Sequence, residues 1–340
     1  MTIVVAQVLV GPRRHGVVQF GLVLDAAVRR HIGHTQLTWV PDATGLSRRI
    51  PAESQVIHTQ FTDRLFGADP DAAAAALVRL AKTARARGSA FTVTLHDLPQ
   101  PSDGVHHEAR VRAYRTVISA SDRIVVSSEH ERDLLRENGL TAGRVRVIPL
   151  PISPDGYTAP RPGIQPTTLG VFGFIYPGKG HEDVIAATQG LSSAIEVHAL
   201  GDASPGHGDL VAHLRRSADR LRRPFQVTGH IAKRNLAATL RAITIPVTAH
   251  RHVSASGSIN TWHGAGRRPL APATRYTAEV ERRNPGSLLL FEDTPSGLRN
   301  AIREALADPS STWLAAGAAL YPTPSEAASC YADMFRSVAG

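Results

Sequence analysis

The stretch that decides the fold is Leu169–Thr188, LGVFGFIYPGKGHEDVIAAT. Its apolar start reads as a buried strand, glycines at 173, 178 and 180 punctuate the following turn, and an amphipathic helix runs on from there. Glycines let a backbone approach a ligand closely, a helix start offers unpaired N–H groups at its positive dipole end, and Lys179 adds a point charge. This is a phosphate-binding arrangement, with a plain turn as the competing reading. Gly173 and the pair Gly178-Lys179 match the G-x-x-x-x-G-K core of a nucleotide-hydrolysing loop. Gly180, however, stands where a Ser or Thr hydroxyl must hold magnesium, so hydrolysis of a nucleoside triphosphate is not expected.

Working outward, short β-branched runs alternate with helical stretches along the whole chain, the pattern of parallel sheets covered by helices. In the first half these runs are 3–9, 36–40, 56–58, 91–95, 123–127 and 145–149; in the second they are 168–172, 195–200, 225–228, 245–248, 269–271 and 287–291. The fold class expected is α/β, with two Rossmann-like domains facing each other across a cleft: residues 1–153 and 168–320, joined by a proline- and glycine-rich linker at 154–167. Ligands of such sheets bind beyond the carboxyl ends of the strands, which makes the cleft the expected site.

The 340 residues are 42% hydrophobic, too much apolar material for a disordered chain and more than one ordinary core. A single cysteine, Cys330, excludes an intrachain disulfide and fits a reducing cytoplasm. The apolar N-terminus lacks the basic start and small-residue cleavage site of a signal peptide, and no run approaches the ~20 apolar residues that span a bilayer. A soluble, cytoplasmic protein is expected. Net charge is +9, with only three lysines among 38 basic residues. Most of the excess is scattered arginine, densest at Leu214–Arg223 (LRRSADRLRR), which reads as a helix with a wet basic face; docking of that face on an anionic or membrane surface is the alternative.

Three further segments carry candidate chemistry. In Val247–Leu270 (VTAHRHVSASGSINTWHGAGRRPL), Ser254, Ser256 and Ser258 around Gly257 place hydroxyls and free N–H groups at a helix start, a second anion cradle whose competing reading is a simple N-cap. Phe91–Pro99 (FTVTLHDLP) is a strand ending in His96 and Asp97. Gly11–Gly21 (GPRRHGVVQFG) opens the first helix, but its glycine spacing does not fit a dinucleotide fingerprint. Asp69-Pro-Asp71 is a helix cap rather than a metal-holding pair, and the histidine pairs 31/34, 106/107 and 250/252 lack the cysteine or carboxylate company of a zinc site.

With these segments in view, LGVFGFIYPGKGHEDVIAA, VSASGSIN, GAGRRPLAP, and LLLFED with LRNAIREALADP resemble the C-terminal half of retaining family 4 glycosyltransferases of GT-B architecture, in a serine-rich branch. VTLHD, RIVVSSEHERDLL and VRVIPLPI are similar to the N-terminal half. The resemblance implies transfer of a hexose from a nucleotide diphosphate sugar with retention, and no bound metal or other cofactor. It makes His96 and Lys179 the catalytic pair. Donor binding falls to Gly173, Phe174, Lys179, Gly201, Gly229, His230, Ser254, Ser256, Gly257, Ser258 and Glu279, and acceptor binding to Gly16, Val17, Gln19 and Asp97. A last helix within 321–340 would cross back onto the N-terminal domain.

Phe174 replaces the arginine many relatives carry, and Glu279 stands in for a missing glutamate pair as the carboxylate for the donor ribose. No carboxylate pair placed as nucleophile and acid is found, so front-face displacement is expected. The expected partners are a nucleotide-sugar donor and a glycan acceptor, not nucleic acid, with peripheral membrane contact possible. GDP-mannose is the expected donor and a soluble oligosaccharide the expected acceptor. The alternatives are a UDP-glucose-dependent glucosyltransferase, a UDP-sugar 2-epimerase and a non-catalytic nucleotide-binding protein.

Overall fold

The computed structural model describes residues 3–51, 53–140, 143–154 and 167–339. They form two compact units, Met1–Pro151 with Pro322–Gly340, and Ile152–Tyr321. Most of the expected linker, from 155 to 166, lies outside the described residues.

The N-terminal unit holds strands β1 (Ile3–Val10), β2 (Gly33–Val40), β3 (Val56–Phe61), β4 (Ala90–Leu95), β5 (Arg123–Val126) and β6 (Val145–Val147). Its helices are α1 (Gly16–Ile32), α2 (Asp63–Phe66), α3 (Pro70–Ala86), α4 (His107–Ser119) and α5 (Glu129–Glu137). The C-terminal unit holds β7 (Thr168–Phe172), β8 (Glu196–Leu200), β9 (Phe225–Val227), β10 (Ile245–Val247), β11 (Leu270–Pro272) and β12 (Leu289–Phe291). Its helices are α6 (His181–Ala187), α7 (Gly208–Arg220), α8 (Lys233–Ala242), α9 (Gly257–Gly264), α10 (Arg275–Arg283) and α11 (Pro295–Ala307). The chain then supplies α12 (Pro324–Arg336), opened by a capping box between Thr323 and Glu326, to the N-terminal unit.

Both sheets are six-stranded and parallel, in the orders β2-β1-β3-β4-β5-β6 and β12-β11-β10-β7-β8-β9. Strand order reverses between β1 and β3 in the first sheet and between β7 and β10 in the second. Crevices open at such reversals, because the connections to either side leave in opposite directions.

One face of the N-terminal sheet is an ordinary apolar core: Val8, Ile57, Phe61, Phe91, Val93 and Ile124 pack on Leu77 and Leu80 of α3 and Tyr114 and Val117 of α4. The other face meets α1 and α12, where Leu24, Val28, Tyr331, Met334 and Phe335 cover Ile3, Val5, Val56 and Val125. Alternation along the strands also delivers Gln7, His58, Gln60, Thr92 and Thr94 to that second face, every one of them buried. This polar seam explains a boundary correction. The sequence reading ends the third run at His58, whereas β3 continues to Phe61, because His-Thr-Gln stays inside the sheet.

Arginine burial revises the surface-charge reading. Arg223, counted with the wet basic face, is buried and donates to the carbonyls of Thr188, Leu191, Ser192 and Ile195, which closes the end of α6. Arg267 is fully buried, donating to carbonyls of Leu240, Arg241, Ile243, Thr244 and Thr312 beneath the Trp313 ring. Arg110 and Arg241 are buried as well. Part of the basic excess therefore ties loops together, and part, including Arg215, Arg216 and Arg220 on α7, is exposed. Asp69 accepts from the Ala72 amide at 2.7 Å and caps α3, as a helix cap should. Among the described residues no helix is long and apolar enough to cross a membrane.

Candidate functional site

In the C-terminal unit the turn after β7 and the loop after β10 flank the reversal of strand order, and they bring Lys179 and Ser258 together. Lys179 Nζ donates to Ser258 Oγ at 2.7 Å, and both atoms crowd Gly173, where a side-chain carbon would lie 3.0 Å from the amine and 3.1 Å from the hydroxyl. Gly173 has φ +116, a conformation that glycine adopts at no steric cost. Gly180, at φ +91, lets the start of α6 press onto the Ala249 carbonyl, where any side chain would collide. These two glycines are what allow the two loops to meet.

Ser256 caps α9 by accepting from the Ile259 amide at 3.2 Å, and its own N–H donates to the Tyr276 hydroxyl at 2.9 Å. The cap reading of Ser256 thus holds for its side chain. At the start of α9 it is Gly257 and Ser258, the first two helical residues, whose amides lack an intrahelical acceptor. A hydroxyl, helix-start amides and an amine therefore share one spot. Lys179 is 4% exposed, and burial lowers its ammonium to about 7.

His181, the first residue of α6, and His250, just beyond β10, are also buried, and neither ring has a hydrogen-bond partner among the described residues. Burial first, then Lys179, pushes the His181 imidazole down to about 3; burial, Lys179 and His181 act likewise on His250. The sequence reading used neither histidine for the site. Their signal was position, one next to the lysine turn and one at a strand end.

The other expected donor-side residues spread along the same strand ends. Gly201 packs against the Gly173 carbonyl, and Gly229, φ +68, faces the Asp202 carboxylate. Phe174 and His230 are exposed, and Ser254 is buried. Glu279, on α10, is buried and pairs with Arg283 at 3.0 Å, so its carboxylate already has a cation.

In the N-terminal unit His96 follows β4 and is 8% exposed. Its Nε2 meets Gln60 Oε1 at 2.9 Å, and the Phe20 ring of α1 stands edge-on to it at 5.6 Å. Asp97 adopts φ +49, a strained turn for a residue with a side chain. The turn is held from below: Tyr114 Oη donates to the His96 and Asp97 carbonyls, and Arg110 donates to the Asp97 carbonyl. Arg110 also grips Asp63 with two bonds, at 2.8 and 3.1 Å, and Asp103 at 2.6 Å. Burial lowers the His96 imidazole below the usual histidine range against the opposing charge of Asp97.

Of the expected acceptor-side residues, Gly16 starts α1 with open space beside it, and the Val17 amide donates to His15 Nδ1 at 3.3 Å. The exposed Gln19 turns its amide to the Arg13 carbonyl at 2.5 Å. Sequence reading did not find Gln60, Asp63, Arg110 or Tyr114, because their roles depend on contacts across 18 to 47 residues of chain. Among the described residues no three His, Cys, Asp or Glu side chains gather into a metal-holding group.

Two parallel six-stranded α/β units of these orders define a GT-B fold. Residues 4–151 match the family model described as glycosyl transferase 4-like domain. HepE of Anabaena, solved with UDP and glucose, is similar over 99% of this chain and 97% of its own, with TM-score 0.69 and 16% identity. Sucrose-phosphate synthase of Thermosynechococcus elongatus is similar over 99% and 96%, with TM-score 0.67 and 16% identity. A glycosyltransferase of Rickettsia africae gives 99% and 93%, TM-score 0.67 and 13% identity. At such identities these likenesses establish the fold. No curated protein matches the sequence.

Proposed function

We propose that this protein is a retaining hexosyltransferase, which moves a sugar from a nucleoside diphosphate to a hydroxyl of a soluble oligosaccharide or glycoconjugate without a bound metal. The observation that carries the reading is the meeting of Lys179 Nζ and Ser258 Oγ at 2.7 Å where the strand order of the C-terminal sheet reverses. As the bond from sugar to phosphate breaks, negative charge grows on the diphosphate. An ammonium and helix-start amides fixed there stabilise that charge more in the transition state than in the ground state.

Burial makes the amine easy to neutralise in the empty protein, and an arriving diphosphate restores its proton. No enzyme carboxylate is assigned as nucleophile, so the leaving phosphate oxygen itself takes the proton of the acceptor hydroxyl in a front-face displacement. His96 is the residue assigned to the transferred sugar. UDP-glucose is the donor placed first, since the structural relatives that span this chain include HepE with UDP-glucose. GDP-mannose, expected from the sequence, is the other arm of the test.

The experiment is a thermal-shift series with UDP, GDP, UDP-glucose and GDP-mannose, repeated on Lys179→Ala. A donor present at 100 times its Kd stabilises by about 2.7 kcal/mol, which the substitution should largely remove. An equal shift in wild type and Lys179→Ala would overturn the diphosphate assignment. Conversion of a nucleotide sugar with no acceptor present would instead identify an epimerase.

A further inference from the structure

The seam beneath α1 and α12 contains an unbroken chain of hydrogen bonds that ends on His96. His58 Nδ1 meets Thr92 Oγ1 at 2.8 Å, and His58 Nε2 meets Gln60 Nε2 at 3.0 Å and Thr94 Oγ1 at 3.1 Å. Thr94 Oγ1 in turn meets the Tyr331 hydroxyl of α12 at 2.9 Å, and Gln60 Oε1 meets His96 Nε2 at 2.9 Å. Each of these residues is buried, and the Tyr331 and Phe335 rings stand against His58 at 5.6 and 5.1 Å.

One direction of donation satisfies every contact of the chain. The Thr92 hydroxyl has the Ile57 carbonyl as an acceptor at 3.5 Å and, donating there, accepts from His58 Nδ1–H at 2.8 Å. His58 is then neutral, with a lone pair at Nε2 that accepts from the Gln60 amide and the Thr94 hydroxyl, while Tyr331 donates to Thr94. Burial, followed by the nearby His96, pushes the His58 imidazole down to about 3, in keeping with a neutral ring. With its N–H₂ group committed to His58, Gln60 presents its oxygen to His96. That oxygen can only accept, so His96 must carry its proton on Nε2.

We propose that Gln60 is a positioning residue for His96: oriented by His58, Thr94 and Tyr331, its amide oxygen holds the imidazole in the Nε2–H tautomer and leaves Nδ1 as a hydrogen-bond acceptor for a hydroxyl of the transferred sugar. No bond is made by His96 Nδ1 among the described residues, so that lone pair is available. The inference deepens the hexosyltransferase reading, from which it takes the sugar; the tautomer itself stands on the hydrogen bonds alone. It commits the recognised sugar to a free hydroxyl, donated to His96, at that position.

Long-range ¹H–¹⁵N correlation spectra of the imidazole, assigned with His96→Gln, read the tautomer directly. Wild type should show protonated Nε2 and a lone-pair Nδ1; a protonated Nδ1 would overturn the proposal. Gln60→Met keeps the volume and removes the acceptor, so the hydrogen-bonded Nε2 proton of His96 should move upfield or exchange away. A resonance unmoved from wild type would count against Gln60. In transfer assays Gln60→Met should lower kcat about tenfold, within the range of a single oriented group, while the donor KM stays within twofold. A variant that instead raises the donor KM at unchanged kcat would overturn the positioning role. If the spectra agree with the proposal and no nucleotide sugar is converted by wild type, the tautomer device stands and the hexosyltransferase reading falls.

Discussion

The two units share a six-stranded parallel plan and store their polar chemistry in opposite places. In the C-terminal unit the central strands β7 and β10 are almost wholly apolar, and the polar groups Lys179, His181, His250 and Ser258 sit on turns and helix starts beyond them. In the N-terminal unit His58, Gln60, Thr92 and Thr94 lie inside the strands, under two helices, and only His96 reaches the strand end. A loop-borne site is free to change without harm to the sheet. A strand-borne one makes function and folding share the same side chains, since each polar group taken out of the seam leaves another buried without a partner.

That contrast is open to measurement, beginning with the largest effect. Arg110→Met leaves Asp63, itself 6% exposed, without its guanidinium and should destabilise the N-terminal unit by about 3–5 kcal/mol in urea unfolding. A loss under 1 kcal/mol would mean the anchor below His96 is dispensable. His58→Leu, which strands the Gln60 amide and two threonine hydroxyls, should cost roughly 2–3 kcal/mol by the same measurement.

Acid titration tests both units together. His58 and His181 are held near 3 in the fold by burial, so the unfolded chain binds more protons between its own value of about 6.5 and that level. The stability that comes from keeping them neutral is whole above pH 6.5 and is lost as the pH falls toward 3. Unfolding free energies at pH 7.5, 5.5 and 4.5 should therefore decline, and His58→Leu should flatten part of that decline.

The smallest effect has the opposite sign. Lys179 binds its proton less tightly folded than unfolded, so its penalty on the empty protein grows as the pH drops from about 10 toward 7. Lys179→Met removes that penalty together with the hydrogen bond to Ser258, so the net stabilisation of the unliganded protein at pH 7.5 should be on the order of 1 kcal/mol, while the donor-induced shift is abolished. A lowered midpoint would show that the lysine supports the fold after all, and the contrast between the units would fail.

What could be read from the chain follows the same division. Glycines at 173 and 180 announce a close approach wherever they stand, so the lysine turn and the serine loop were legible before any coordinates. His58-Thr59-Gln60 was not, because a strand with alternating polar residues ordinarily shows that face to water. Two covering helices reverse the meaning of the pattern, and one of them, α12, lies more than two hundred residues away in the chain. Arg223 was misplaced, and the burial of Arg267 went unseen, for a related reason. Composition counts a charge and cannot tell that five main-chain oxygens are waiting for it.

The return of α12 to the N-terminal unit has a consequence for biosynthesis. A polypeptide leaving the ribosome exposes β1, β3 and β4 long before Tyr331 and Phe335 exist to cover them. The middle section is contiguous in the chain, whereas the opening section keeps one face of its sheet without its second covering helix until residues 324–336 have been made.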